Sequence, residues 1–190
     1  MKLLIIPIGP PGSGKTTLRK YLYDYCLDKD IEFRSSNRDE VFQSIRVNNS
    51  LNKTRKLLYD KLQDFYKEVN SLESSIIYID SVNAKENIRV RFLESIEYDS
   101  VLYINFRISK ENSKFLLNRT MKRKNHPTFP KVMDEQKEKI SIIFDCIEYQ
   151  EKKLGRNSEI LEIDLISEDN LNKKLENFID KIYNINYNES

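Results

Sequence analysis

The sequence predicts an α/β fold in which an open, mainly parallel sheet carries helices on both faces. Three observations predict it. Short apolar runs alternate with longer stretches of helical periodicity along the chain. The strongest apolar runs are continuous, as strands buried on both faces are. No repeat, low-complexity linker or composition shift interrupts the alternation, so residues 1–185 are expected to form a single domain, with 186–190 a frayed tail.

The elements follow in order. "KLLIIPI" (2–8) is a short apolar run and predicts a buried strand, although Pro7 cannot donate to a ladder. From Lys15 to Asp28, Leu18, Tyr21, Leu22, Tyr25 and Cys26 form a helical stripe. "IEFRS" (31–35) predicts a second strand. Residues 38–70 read as helix, broken near "NNSLN", and "SSIIYID" (74–80) is a strongly apolar strand. A helix at 84–97 precedes the strand "SVLYINFRI" (100–108). Ser109 is a suitable N-cap for a helix at 110–122, and Pro127 and Pro130 break the chain beyond it. A helix at 131–152, the strand "EILEIDLI" (159–166) and a helix at 167–184 complete the pattern.

Composition narrows the class. Hydrophobic residues make up 39% and charged residues 33%, an ordinary globular mix, and the net charge is +2, so any positive footprint must be local. The cysteines, Cys26 and Cys146, fall in amphipathic helical patterns and predict reduced core thiols rather than a metal cage. The apolar N-terminus lacks a cleavage region, and no apolar run reaches the ~18 residues a membrane span needs. A soluble cytoplasmic protein is expected, with a nuclear one as the alternative.

The chemistry begins at "GPPGSGKTT", Gly9, Pro10, Pro11, Gly12, Ser13, Gly14, Lys15, Thr16 and Thr17. Gly9, Gly14, Lys15 and Thr16 satisfy the spacing G-x-x-x-x-G-K-[ST], with an apolar strand before and an amphipathic helix after. Glycines let backbone N–H groups curl around a phosphate, and the helix N-terminus faces the same anion. Lys15 adds charge near the β and γ phosphates, and the Thr16 hydroxyl suits Mg²⁺. The fold expected is therefore that of a phosphate-loop nucleotide-binding protein, with ATP or GTP as donor. Neither "NKTR" (52–55) nor "NKKL" (172–175) completes a guanine-specifying Asn-Lys-x-Asp, and the length suits a small kinase.

Three features bear on an acceptor. "SSNRDEVF" (35–42) follows the second strand, where the ligand crevice of an open parallel sheet lies. There Asp39 can act as general base; alternatively Asp39 or Glu40 simply complements a helix dipole. Asp80 ends "IIYID", a position suited to holding Mg²⁺ through water, or else an ordinary strand-end turn. "NRTMKRKNHPTFP" (118–130) carries Arg119, Lys122, Arg123, Lys124 and the only histidine, His126, and no carboxylate stands between Glu111 and Asp134. Arg119 and Arg123 are four apart, on one helical face, and guanidinium forks suit phosphate oxygens. A helical phosphate-binding lid explains this run; a solvated helix end is the other reading.

Together these residues resemble the polynucleotide 5′-hydroxyl kinase family. "IGPPGSGKTT", "NRDE", "IDSVNAKENIRVRFLE" and "RTMKR" look like the phosphate loop, acceptor loop, second-strand motif and lid of its phage-type members. "LLIIPIG" and "RKNHPTF" look more like the kinase domains of fungal-type tRNA ligases. The similarity covers roughly residues 2–135. It implies transfer of the γ-phosphate of an NTP to the 5′-hydroxyl of RNA or DNA, in repair or RNA ligation, beside a separate ligase or phosphatase. It implies Lys15, Asp39 and Arg123 as the catalytic set and Arg119 as a second lid cation. Arg38, Lys124 and His126 are the candidates toward the acceptor; His126 can stack on a base or bond a phosphate, or else simply fixes its own loop. One departure is Phe42, which stands where the phage-type enzymes carry a phosphate-contacting arginine. A kinase for a small hydroxyl metabolite or nucleoside, and a non-catalytic nucleotide-binding module, are the alternatives.

Overall fold

The computed structural model describes residues 1–107, 116, 157–164 and 171–183. Within them five strands form one sheet: β1 (Lys2–Ile8), β2 (Phe33–Asn37), β3 (Ser75–Asp80), β4 (Ser100–Arg107) and β5 (Ser158–Asp164). Their order is β2-β3-β1-β4-β5, and each neighbouring pair is parallel. The helices are α1 (Lys15–Asp28), α2 (Arg38–Arg46), α3 (Leu51–Ser71), α4 (Glu86–Ser95) and α5 (Leu171–Tyr183).

The continuous apolar runs become the strands because each strand is covered on both sides. Along β1, Leu3 and Ile5 face one core with Leu18, Leu22, Tyr25 and Cys26 of α1 and Leu175 and Ile179 of α5. Leu4, Ile6 and Ile8 face the other, with Tyr66 and Val69 of α3 and the flanking Phe92 and Leu93 of α4. Each such fully buried aliphatic side chain stabilises the fold by roughly 1.5–3 kcal/mol. Cys26 is a buried free thiol that burial pushes up to about 12, as expected of a core residue. Tyr21 and Tyr25 of α1 further bind Glu176 and Asp180 of α5.

The structure corrects several boundaries. β2 begins at Phe33, not Ile31. The exit turn of α1 still holds that segment: Asp30 has φ +54 and Ile31 N–H donates to the Cys26 carbonyl at 2.8 Å. The strand then runs on to Asn37, paired with Asp80 of β3. The expected break in 38–70 falls between Arg46 and Leu51. α4 is shorter than 84–97, because Asn83 adopts φ +52 before it and Ile96 is extended after it. Pro7 lies inside the central strand, opposite Ile104, and its carbonyl accepts a bond from the Asn83 side chain at 2.8 Å. Apart from Leu116, which is helical and buried, the regions 110–122 and 131–152 lie outside the described residues, as do Ser109, Pro127, Pro130, Cys146 and the tail 186–190. No described helix is long and apolar enough to cross a membrane.

Candidate functional site

Parallel pairing brings the C-terminal ends of β1, β2 and β3 to one edge, and the site is built there. β1 ends at Ile8 and the chain turns through residues 9–14 into α1. At Gly9 a Cβ would meet Phe106 Cβ at 2.8 Å and Ser13 Oγ at 3.0 Å, so the loop packs on β4 only with glycine there. Gly14, the N-cap of α1, has φ +103, a conformation that disfavours side chains, and space is open around it: a Cβ would meet nothing within 4 Å. No side chain caps α1, and its first turn holds no acidic residue, so its positive end is not offset from within.

Lys15 is buried, and its ammonium donates to the carbonyls of Gly9 and Pro10, each at 2.8 Å, and to Ser13 Oγ at 3.1 Å. The Lys15 carbonyl accepts from the Tyr78 hydroxyl at 2.8 Å, which ties the start of α1 to β3. Ser13 is buried with Lys15, Pro11 and Thr16 are half-buried, and Thr17 is exposed. Beneath the loop, Gly9 N–H donates to the Val82 carbonyl, and the buried Arg89 holds the carbonyls of Asn83 and Ala84 at 2.8 and 2.7 Å.

Asp80 closes the other side. It is 5% exposed, and its Oδ1 accepts from the Thr16 hydroxyl at 3.5 Å. Its Oδ2 accepts from Asn37 Nδ2 at 3.0 Å and faces Arg19 Nε at 3.5 Å. Burial pushes this carboxyl above its ordinary range; Arg19, the Thr16 hydroxyl and Lys15 oppose that rise, and Glu40 adds to it. The Arg19 fork engages Glu40 at 3.2 and 2.9 Å.

The acceptor candidates sit on α2. Asn37 caps this helix, its Oδ1 accepting from Asp39 N–H at 3.0 Å and Glu40 N–H at 3.1 Å. Asp39 is half-buried in the first turn, and Arg38 is exposed. Glu40 is engaged by the Arg19 fork. Arg119, Arg123, Lys124 and His126 lie outside the described residues. Arg19, Asn37 and Tyr78 were missed from sequence. Arg19 was legible in principle, three residues after Thr16 and therefore on the same face of α1. Asn37 three residues before Glu40 is a capping pattern. Tyr78 and Asn83 carry no local signal.

The donor set fits Mg²⁺. A hydroxyl and one carboxylate, with phosphate oxygens completing the shell, is how this hard cation is held in nucleotide sites. No group of three or more His, Cys, Asp or Glu side chains among the described residues suggests a dedicated metal cage. The open space at Gly14 and the uncapped end of α1 likewise fit a nucleotide phosphate.

Comparison with known proteins bears on the fold that carries this site. Residues 5–100, just over half the chain, match the family model "ATPase family associated with various cellular activities (AAA)". A search of curated proteins gives no match. Among solved structures, Kti12 of Chaetomium thermophilum in complex with ADP-AlF3 superposes with a TM-score of 0.58 at 17% identity, covering 95% of this chain and 97% of that one. Shikimate kinase of Acinetobacter baumannii in complex with shikimate gives 0.51 at 15%, covering 99% and 95%. A gluconokinase of Sinorhizobium meliloti gives 0.53 at 13%, covering 96% and 97%. At these identities the likeness establishes a shared phosphate-loop kinase-like fold.

Proposed function

We propose that this chain, which belongs to the family of ATPases associated with various cellular activities, is a phosphotransferase that moves the γ-phosphoryl group of an NTP to a hydroxyl acceptor beside α2. The observation that carries the reading is the pairing of Thr16 with Asp80 next to a buried Lys15, at the sheet edge where α2 also begins. Lys15 and the amides at the start of α1 would hold the β and γ phosphates. Mg²⁺, held through the Thr16 hydroxyl and, by way of water, Asp80, would supply positive charge to the phosphate oxygens. Asp39 would take the acceptor's proton and align its oxygen. Arg123 would clamp the transferred group, with Arg119 a second cation, both assigned from the sequence.

Two acceptor classes remain, each with its own support. A small hydroxyl compound is favoured by the likeness to shikimate kinase and gluconokinase over nearly the whole chain. A polynucleotide 5′-hydroxyl is favoured by the "NRDE" segment and the acid-free basic run at 118–130, where Lys124 and His126 would meet the acceptor, with Arg38 on α2. The first has the broader support and is the leading reading. The test is transfer of label from γ-labelled ATP and GTP, with Mg²⁺, to 5′-OH RNA and DNA oligonucleotides, nucleosides and a panel of hydroxy acids and sugars. Label on a metabolite alone selects the first class, and label on oligonucleotides the second. Tight NTP binding with no labelled acceptor makes the chain a nucleotide-binding module.

A further inference from the structure

We infer that the donor site and the first turn of α2 are mechanically coupled through Asp80, with Arg19 and Asn37 as the positioning residues. The purpose of the coupling rests on the phosphotransferase reading, while its existence rests on the contacts around Asp80. The two oxygens of that buried carboxylate divide their work. Oδ1 faces the Thr16 hydroxyl on the donor side. Oδ2 takes the Asn37 amide at 3.0 Å and Arg19 Nε at 3.5 Å.

Each of those partners is itself two-ended. Asn37 gives Nδ2 to Asp80 and uses Oδ1 to cap α2 through Asp39 and Glu40 N–H. Arg19 gives Nε to Asp80 and its two terminal nitrogens to Glu40. Both ties end on the same helical turn, the one that carries Asp39. A group that engages Oδ1 can shift the carboxylate only by pulling on both ties.

The helix is built to respond. None of the α2 side chains is fully buried, and Val41, Phe42 and Ile45 are only half-buried, so polar contacts at its first turn share in its placement. Arg19 is well suited to the linking role, because its planar fork can bind one carboxylate bidentately while Nε addresses a second. A lysine ammonium in its place could serve one of them at a time. The arrangement would let an occupied donor site place Asp39 before the acceptor is engaged.

The test is hydrogen exchange on the full chain, with and without Mg·ATP, followed in peptides covering residues 9–17 and 38–46. Wild type should show protection of the phosphate loop together with a change in α2 exchange of roughly two- to fivefold, the range expected for partly exposed ion pairs. Arg19→Gln and Arg19→Lys should keep loop protection and reduce the α2 response. Arg19→Lys retains the charge beside Asp80, so a loss there cannot be assigned to failed folding around an unpaired carboxylate. Combining Arg19→Gln with Asn37→Ser, which preserves a capping side chain, should abolish the α2 response. An undiminished α2 response in that double variant overturns the inference, as does loop protection without any α2 change in wild type. A wild type whose loop gains no protection from Mg·ATP overturns both this inference and the function proposed above. If both responses occur but no acceptor is phosphorylated, the coupling stands and the phosphotransferase reading falls.

Discussion

Two helices begin at the same edge of the sheet, and their first turns are opposites. α1 starts at a glycine in the left-handed region, with no side-chain cap and no acidic residue in its first turn. α2 starts at Asn37, which caps two N–H groups, and carries Asp39 and Glu40 in its first turn. Both ends bear the positive pole of a helix dipole. α1 leaves that pole for an anion from outside, whereas α2 has already supplied its own negative charge. Chemically, the first suits a phosphate and the second suits a neutral hydroxyl that must lose a proton. The difference orients the proposed reaction across the edge, from α1 to α2, with Asp80 between them.

The largest expected effect lies on the α2 side. Asp39→Asn keeps the shape and the cap but removes the base, and phosphoryl transfer should fall by roughly 10²–10⁴ with NTP binding little changed. Glu40→Gln should cost far less, since Glu40 is engaged by Arg19. Single-turnover rates for the two variants check this, and the reverse order would mean that Glu40 is the base.

On the α1 side, Lys15→Ala removes charge stabilisation of the transferred group and should lower the rate by roughly 10²–10³ in a protein that still folds. The circular dichroism spectrum and turnover of the same sample decide it; a folded variant with near-normal turnover would refute the phosphate-loop assignment.

The helices also differ in anchoring. Leu22→Ala on α1 should destabilise the fold by about 2–5 kcal/mol, because Leu22 is fully buried against the sheet. Val47→Ser, just past α2 and 81% exposed, should fall within about 0.5 kcal/mol of wild type. Urea unfolding midpoints measure both, and equal losses would erase the distinction between a rooted and a tethered helix.

Asp80 supplies the smallest stability effect and a change of sign. Its folded-state pKa is raised, so the ionised carboxylate opposes folding, and stability is lost as pH rises through the ordinary carboxylate range toward the raised value. Asp80→Asn should therefore have an unchanged or higher Tm at neutral pH while losing Mg²⁺-dependent turnover. A markedly lower Tm would show that the ties to Asn37 and Arg19 outweigh the burial of charge.

The same contrast accounts for what could be read in the sequence. β1, β3 and β4 were legible to within a residue, because burial on both faces leaves a continuous apolar signature that little else produces. β2 was displaced by two residues: it is an edge strand, only half-buried, and its limits are set by the exit turn of α1 and by the pairing of Asn37 with Asp80. Gly9, Gly14, Lys15 and Thr16 stand out in the sequence because the spacing proposed for phosphate binding is local and fixed, and they fall at the turn from β1 into α1. Arg19 and Asn37 were not singled out, because their importance arises from contacts with residues twenty to sixty positions away. Local pattern marks the glycine-rich loop between β1 and α1; the polar web that joins it to α2 exists only once the strands are side by side.

Acceptor dependence decides whether the chain transfers phosphate across this edge, as proposed, or only hydrolyses or binds nucleotide. ADP release and γ-label transfer would be followed together, with Mg²⁺, in the presence and absence of each acceptor class, for wild type and Lys15→Ala. A phosphotransferase should release ADP faster with one acceptor class, with matching label on that acceptor, and Lys15→Ala should lose both. ADP release at the same rate with and without every acceptor, and no label on any of them, would contradict that reading.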